Sequence, residues 1–287
     1  MSLSFIATGY EHVNKGGLQR LFGVGKTSRY NHINPALLGQ LSFDSKLSSI
    51  QVNSSNNSTA NVILFSNSLL SILPVGNFAG DFRQVVAVKN GAPNFVNMTD
   101  YGFNDHTRSM LLINTSRGLE FRVSFRDQFL DQWKSTLDAE LGGDASRVGD
   151  PIFTWAAFPE GISYLSSSQI YLYISQKLNI NIPWWPDYDA RITYHIYLYL
   201  DGSNKLKGYC QRWSAWVEGG IKSDDIMDKL WPKVVSGASN INTSLNDSFK
   251  SLPAFNDFYY LPGRQISPVT GVTSGTTYSD VTLVFEI

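Results

Sequence analysis

The chain has a single cysteine, Cys210, among its 287 residues. That excludes an intrachain disulfide and any zinc or iron–sulfur site built from several cysteines. Charge is scarce as well: 16% of residues are Asp, Glu, Lys or Arg, against about 25% in soluble domains. The 23 basic and 24 acidic residues leave a net charge of −1. A protein that grips phosphate backbones carries a basic surplus, so nucleic acid is not an expected partner. No apolar run approaches the ~18 residues of a membrane-spanning helix. The opening MSLSFIATGY has neither the basic start nor the long apolar stretch of a secretory leader. These absences predict a protein that is cytoplasmic or released without a classical signal. Near-neutral charge also favours association, so a homo-oligomer or a self-assembling structural role is one reading.

Aromatic residues, in contrast, make up 13% of the chain and apolar residues 43%. That supplies a sizeable core and excludes general disorder. Seven Asn-x-Ser/Thr acceptors, Asn242 and Asn246 among them, are read as an Asn/Ser-rich composition and not as glycosylation sites.

Internal repetition is the strongest signal in the first 115 residues. The stretch from Phe43 to Val52, with Asp44-Ser45 and Ser48-Ser49, aligns with Phe103 to Leu112, with Asn104-Asp105 and Arg108-Ser109. Each has an aromatic, two small polar residues, two free positions, a pair ending in Ser, then an apolar strand. Upstream, Asn14-Lys15-Gly16-Gly17 aligns with Asn77-Phe78-Ala79-Gly80. Short apolar runs bounded by Gly, Asn and Pro predict two all-β halves of about 50 residues each. A polar stretch from Val52 to Asn61 joins them.

This pattern resembles the βγ-crystallin family, whose domain packs two Greek-key motifs as a β-sandwich. Tyr10, Lys15 and Gly17 fill the family's opening motif in the first half, and Leu73, Phe78 and Gly80 fill it in the second. Lys15 and Leu73 stand where aromatics are usual. The resemblance implies calcium sites at the polar motifs, with Asp44, Ser45, Ser48, Asn104 and Asp105 as the residues concerned. Calcium needs six to eight oxygen ligands. Ser45 replaces the usual Asn/Asp of the first motif. Arg108 replaces the hydroxyl of the second, where a guanidinium repels a cation. The expectation is one site lost and one weakened, with the motifs kept chiefly as turn structure held by Asx-type hydrogen bonds.

Residues 116–287 resemble no family. Phe129, Trp133, Leu137 and Leu141 recur every four residues, with Ser124 and Asp127 as a capping pattern and Gly142-Gly143 as a stop. Long alternating runs at 168–182 and 190–200, a turn at Asp201–Asn204 and the run from Leu206 predict an antiparallel sheet. A short helix from Ser223 is expected to stop near Pro232, and a further helix to end at Pro253. The fold class is therefore two domains: a βγ-crystallin-like Greek-key sandwich over 1–115, and an α+β domain over 116–287 with a long antiparallel sheet and helices.

Two places could carry chemistry here. The loop Pro183-Trp184-Trp185-Pro186-Asp187-Tyr188-Asp189 concentrates three large aromatics and two acids between two strands. An aromatic cluster folded over the sheet, a sugar-stacking surface using Trp184, Trp185, Asp187, Tyr188 and Asp189, and a membrane-interface anchor all fit it. With Leu200 placed opposite Lys205, His195 falls opposite Cys210 on one face, the geometry a thiol nucleophile would need. No acid or amide clearly orients that imidazole, so an inert packed pair is the simpler reading. GVGKT at Gly23–Thr27 lacks the first glycine of a phosphate-binding loop, since Arg20 stands there. No H-E-x-x-H or G-x-S-x-G occurs. The functional expectation is a non-enzymatic recognition protein that binds a glycan or a cell surface. A membrane-acting toxin that inserts its long hairpin and a self-assembling structural protein are the alternatives.

Overall fold

The computed structural model describes residues 3–25, 30–33, 35–55, 58–66, 80–115, 120–157, 170–181, 188–220, 222–276 and 280–286. The protein is mostly β, with several antiparallel sheets and few helices. It divides into two compact units. The first holds 1–120, 155–170 and 265–278; the second holds 121–154, 171–264 and 279–287.

In the first unit the chain runs β1 (Leu3–Tyr10), β2 (Gln19–Gly25), β3 (Tyr30–Ile33), the short α1 (Pro35–Gln40) and β4 (Ser49–Val52). It then repeats the strand series as β5 (Thr59–Phe65), β6 (Asp81–Ala87), β7 (Asn94–Asn97) and β8 (Ser109–Thr115). One sheet has the order β2-β1-β4-β7; the other contains β6-β5-β8-β3. Each half thus lends its third strand to the other half's sheet. The two sheets enclose one core, with Ile6, Phe22, Leu47 and Ile50 from the first half beside Val62, Leu64, Met110 and Leu112 from the second. Gly9 is required in β1, because a Cβ there would come within 2.6 Å of Leu47 and 2.9 Å of Phe22.

The second unit opens with β9 (Glu120–Ser124) and α2 (Phe125–Leu141), followed by β10 (Ala145–Ala157), β11 (Ile170–Ile180), β12 (Tyr188–Leu200) and β13 (Leu206–Val217). These four long strands form a sheet in chain order. Next come α3 (Ser223–Phe249) and β14 (Asp257–Pro262). The last two strands are β15 (Gly271–Thr276) and β16 (Val281–Glu286). β16 sits between β14 and β9 in a three-stranded sheet, whereas β15 adds to β6 in the first unit. The second part of the chain is therefore not one continuous block over 116–287. Nothing in the residues of β15 distinguished a strand that returns to the first unit's sheet.

α2 matches its sequence signature. Ser124 caps it, its Oγ accepting from Asp127 N, and Gly142 ends it in the left-handed conformation. Phe125, Phe129, Trp133, Leu137 and Leu141 are its buried stripe. α3 departs from expectation: it runs unbroken through Pro232 for 27 residues. Proline removes one backbone hydrogen bond and crowds the preceding turn, a cost of ~3 kcal/mol. An uninterrupted buried stripe outweighs it: Ile226, Leu230, Val234, Ala238, Ile241, Leu245 and Phe249. At ~1.5–3 kcal/mol per large apolar side chain, that burial favours continuity.

Both helices cover the same face of the long sheet. Trp133 meets Tyr194 edge-on at 5.6 Å and donates to Gln176 Oε1. Tyr194 donates to Val234 O at 3.0 Å, over Gly237, where a Cβ would lie 2.8 Å from the tyrosine oxygen. β13 is the sheet edge, and α3 closes it. Gly208 N donates to Asn246 Oδ1, and Cys210 N donates to Asn242 Oδ1. The amides of two Asn-x-Ser/Thr acceptors thus serve as edge-strand partners.

The start of α2 is fastened from the far end of the chain. Buried Asp280, just before β16, accepts from Ser124 Oγ (2.5 Å), Arg126 N (3.0 Å) and Val281 N (2.7 Å). Burial pushes its carboxyl above the usual carboxylate range, and those three donors only partly counter it. Because the folded state binds the proton more tightly, this group's contribution falls as pH rises from the ordinary carboxylate range through the raised value. We expect Asp280→Ala to cost about 1–3 kcal/mol by leaving buried donors unpaired. The stability difference between wild type and Asp280→Asn should also shift against the wild type as pH rises through that window. Urea unfolding of the three proteins at several pH values checks both; a pH-independent difference would remove the burial argument.

Candidate functional site

The two polar motifs of the first unit sit in turns before β4 and β8. Ser45 and Asp105 occupy matching left-handed positions, with φ of 54° and 57°. The turns are bonded crosswise: Ser45 N donates to Thr107 O (3.1 Å), and Asp105 N donates to Leu47 O (3.2 Å). Residues therefore meet across the halves and not within one motif. Ser48 Oγ lies 2.6 Å from Glu11 O and 3.1 Å from Asp105 Oδ1. One hydroxyl proton serves two acceptors, so three oxygens crowd together. Asn104 Nδ2 donates to the other Asp105 oxygen at 2.7 Å. Arg108 lies outside this cluster and pairs with Asp44 at 3.3 Å. Reading each motif by itself missed the combination: the sound hydroxyl of the first motif meets the sound carboxylate of the second. Ser45 contributes its turn geometry and its backbone bond. Among the described residues, no group of three or more His, Cys, Asp or Glu is arranged to hold a metal.

In the second unit, Trp184, Trp185 and Asp187 lie outside the described residues. Tyr188 and Asp189 are the first residues of β12 and pair with Ile180 and Asn179 of β11. Asp189 is engaged by Lys177 at 2.5 Å, and its carbonyl accepts from Glu218 N. Tyr188 packs against Gly220, where a Cβ would meet its ring at 2.9 Å.

The facing of His195 and Cys210 is corrected by the sheet register. Leu200 pairs with Leu206, not Lys205, and the register then slips between His195 and Ile196, so that Gln211 bulges out. Cys210 stands opposite Ile196 and His195 opposite Arg212. Since neighbouring strand residues face opposite sides, thiol and imidazole lie on different faces. Cys210 is buried on the helix side, beneath α3. His195 lies on the other face, its ring 5.1 Å from that of Tyr173.

That other face carries the feature the loop-centred reading overlooked. Tyr197 and Tyr199 of β12 and Tyr209 of β13 form a mutually touching triad, with ring centroids 5.4–6.1 Å apart. Tyr199 and Tyr209 are 38% and 39% exposed, and Trp216, further along the same face, is 46% exposed. Lys207 stands opposite Tyr199. Partial burial, with Tyr197 and Tyr199 beside it, raises the Tyr209 phenol above its ordinary value, so its hydroxyl stays protonated. Towards the opposite end the face closes over buried hydroxyls, Thr193 Oγ1 bonding Ser175 Oγ at 3.3 Å. The signal in the sequence was the Tyr-x-Tyr spacing at 197 and 199, which puts both rings on one side of a strand.

No protein-family model matches the chain, and no curated protein matches it. No helix among the described residues is long and apolar enough to cross a membrane.

With Cys210 beneath α3, its thiol should resist modification. We expect an aromatic disulfide reagent to react with native protein at least 100-fold more slowly than with urea-unfolded protein, tracking unfolding. Fast stoichiometric labelling of the native state would contradict this placement.

Proposed function

We propose that the chain is a recognition protein: a βγ-crystallin-type module joined to a second unit whose open sheet face binds a neutral glycan. The observation that carries this reading is the triad Tyr197, Tyr199 and Tyr209, with Tyr199 and Tyr209 exposed and Lys207 and Trp216 on the same face. Sugar rings offer apolar C–H faces to aromatic rings and hydroxyls to phenols and ammonium groups. Clustered tyrosines supply both at low conformational cost. Mutual stacking fixes the rings before a ligand arrives, which lessens the entropy lost on binding. The near-zero net charge favours a neutral over a strongly ionic partner.

The βγ-crystallin reading of the first unit is supported by its two equivalent halves packed as one sandwich and by the matched left-handed turns at Ser45 and Asp105. A single weak calcium site fits that module. Glu11 O, Ser48 Oγ and the Asp105 carboxylate would hold the ion, with water completing the shell. The guanidinium of Arg108, paired with Asp44, occupies the equivalent place in the other half.

Two outcomes follow. On a glycan array and by calorimetry, the wild type binds a defined neutral oligosaccharide, and Tyr199→Ala/Tyr209→Ala weakens it at least tenfold, about 1.4 kcal/mol. The same variant should lose about 1–3 kcal/mol of stability, because cross-strand ring contacts go with the rings, while its circular dichroism stays native. Equal binding by the variant, or no glycan bound at all, overturns the reading. Separately, 10 mM calcium should stabilise the protein by about 1.4 kcal/mol if Kd is ~1 mM. Asp105→Ala should abolish that increment; an unchanged calcium response in the variant would rule out the Glu11–Ser48–Asp105 site.

A further inference from the structure

A pocket of about 280 Å³ opens in the second unit, on the helix side of the sheet and away from the tyrosine face. Its walls are the first turns of α3, the end of α2 and the last residues of β11. The floor is apolar: Leu141, Ala145 and Ile180 meet Ile226 and Leu230 of α3. The rim is cationic. Lys222, Lys229 and Lys233 of the same lining follow the helix repeat that places Ile226 and Leu230, so ammonium groups and aliphatic side chains share one stripe of α3.

The three lysines are differently committed. Lys233 Nζ is fixed by Glu140 O, Leu141 O and Asp144 Oδ2, each at 3.1 Å, so it joins α3 to the carbonyl end of α2. Lys222 pairs with Asp225 at 2.8 Å through one of its three donors. Lys229 is exposed at the rim. Against these three cations the lining holds two acids, Asp144 and Asp225, an excess of one positive charge. Among the described residues no side chain caps the N-terminus of α3, which points to the same region with Asp224 and Asp225 in its first turn.

We infer that this pocket binds a small anionic amphiphile, with a carboxylate or phosphate head at Lys222 and Lys229 and an alkyl tail over Leu141, Ala145, Ile180, Ile226 and Leu230. A purely apolar ligand would leave the ammonium rim unused, and a free anion would leave the floor wet. Only a molecule with both parts satisfies both. The volume lies just under the ~300 Å³ at which ordinary ligand pockets begin, so the tail is short, or is the end of a longer chain. This site is independent of the glycan reading, since it uses none of the tyrosines and lies on the opposite side of the sheet.

The test is calorimetry of the full chain with octyl phosphate, octanol and inorganic phosphate. Octyl phosphate should bind at least tenfold more tightly than either of the others. Lys229→Glu, an exposed change that leaves packing alone, should weaken octyl phosphate at least tenfold and leave octanol unchanged. Lys207→Glu, on the tyrosine face, should do neither. A second variant, Ala145→Phe, fills the floor and should lose octyl phosphate while circular dichroism reports a native spectrum. Vesicles of phosphatidylglycerol then identify the source: competition with octyl phosphate marks a lipid, and absence of competition marks a free amphiphile. Equal affinity for octyl phosphate and octanol, or octyl phosphate binding unchanged by Lys229→Glu, overturns the proposal.

Discussion

The second unit depends on one buried carboxylate. Its sequence comes in three separated stretches, so local helix and hairpin preferences cannot assemble it alone. Asp280 bonds to the residues that begin α2, and those residues lie roughly half the chain away. Without the C-terminal strand, Ser124 Oγ and Arg126 N would lose this acceptor, and only the local cap on Asp127 N would remain. Burial makes the charged form of Asp280 costly, and the three donors compensate in part. The joint is strong only when every partner is present, which is how a buried polar contact comes to specify a single arrangement.

From that joint the packing is relayed through α2 to the sheet. Phe125, Phe129 and Trp133 continue to Tyr194, and Tyr194 fits over α3 only because Gly237 has no side chain. The same logic explains why α3 does not break at Pro232. A helix end there would abandon the contacts of Val234, Ala238, Ile241 and Leu245 and free the amides of Asn242 and Asn246 from the β13 edge. Against those losses one missing hydrogen bond is minor. Low-complexity Asn/Ser text in this segment is thus edge protection for a strand.

What the sequence disclosed, it disclosed where local chemistry decides. The cap at Ser124, the stop at Gly142 and the long alternating strands were readable because each depends on residues within a few positions. What stayed hidden depends on distant partners. The return of β15 to β6 leaves no mark in Gly271–Thr276. The meeting of Ser48 with Asp105 follows from crosswise turn bonds that no single motif reveals. The candidate surface was half legible: alternation put Tyr197 and Tyr199 on one face, but Tyr209 joins them only through the β12–β13 register. Tyr188 and Asp189, counted with the Trp184–Trp185 loop, belong to paired strand positions.

The most consequential hidden feature is one extra residue. Had β12 and β13 paired without interruption from the 201–205 turn, every facing pair would have kept one parity along the strands. The bulge at Gln211 changes that parity midway. On the hairpin side of the bulge, Leu198, Gly208 and Cys210 meet α3, while Tyr197, Tyr199 and Tyr209 stay outward. Beyond it, Trp213 and Ala215 take the helix side and Trp216 turns outward. An unbulged strand with Cys210 inward would have turned Trp216 inward too, onto the face already filled by the helices. The extra residue therefore exchanges the two rings, bringing Trp213 to the helix side and turning Trp216 to the face that carries the tyrosines. A bulge that re-aims side chains is a recurrent device in sheets, and here it decides which rings of β13 face the helices and which share a face with the tyrosines.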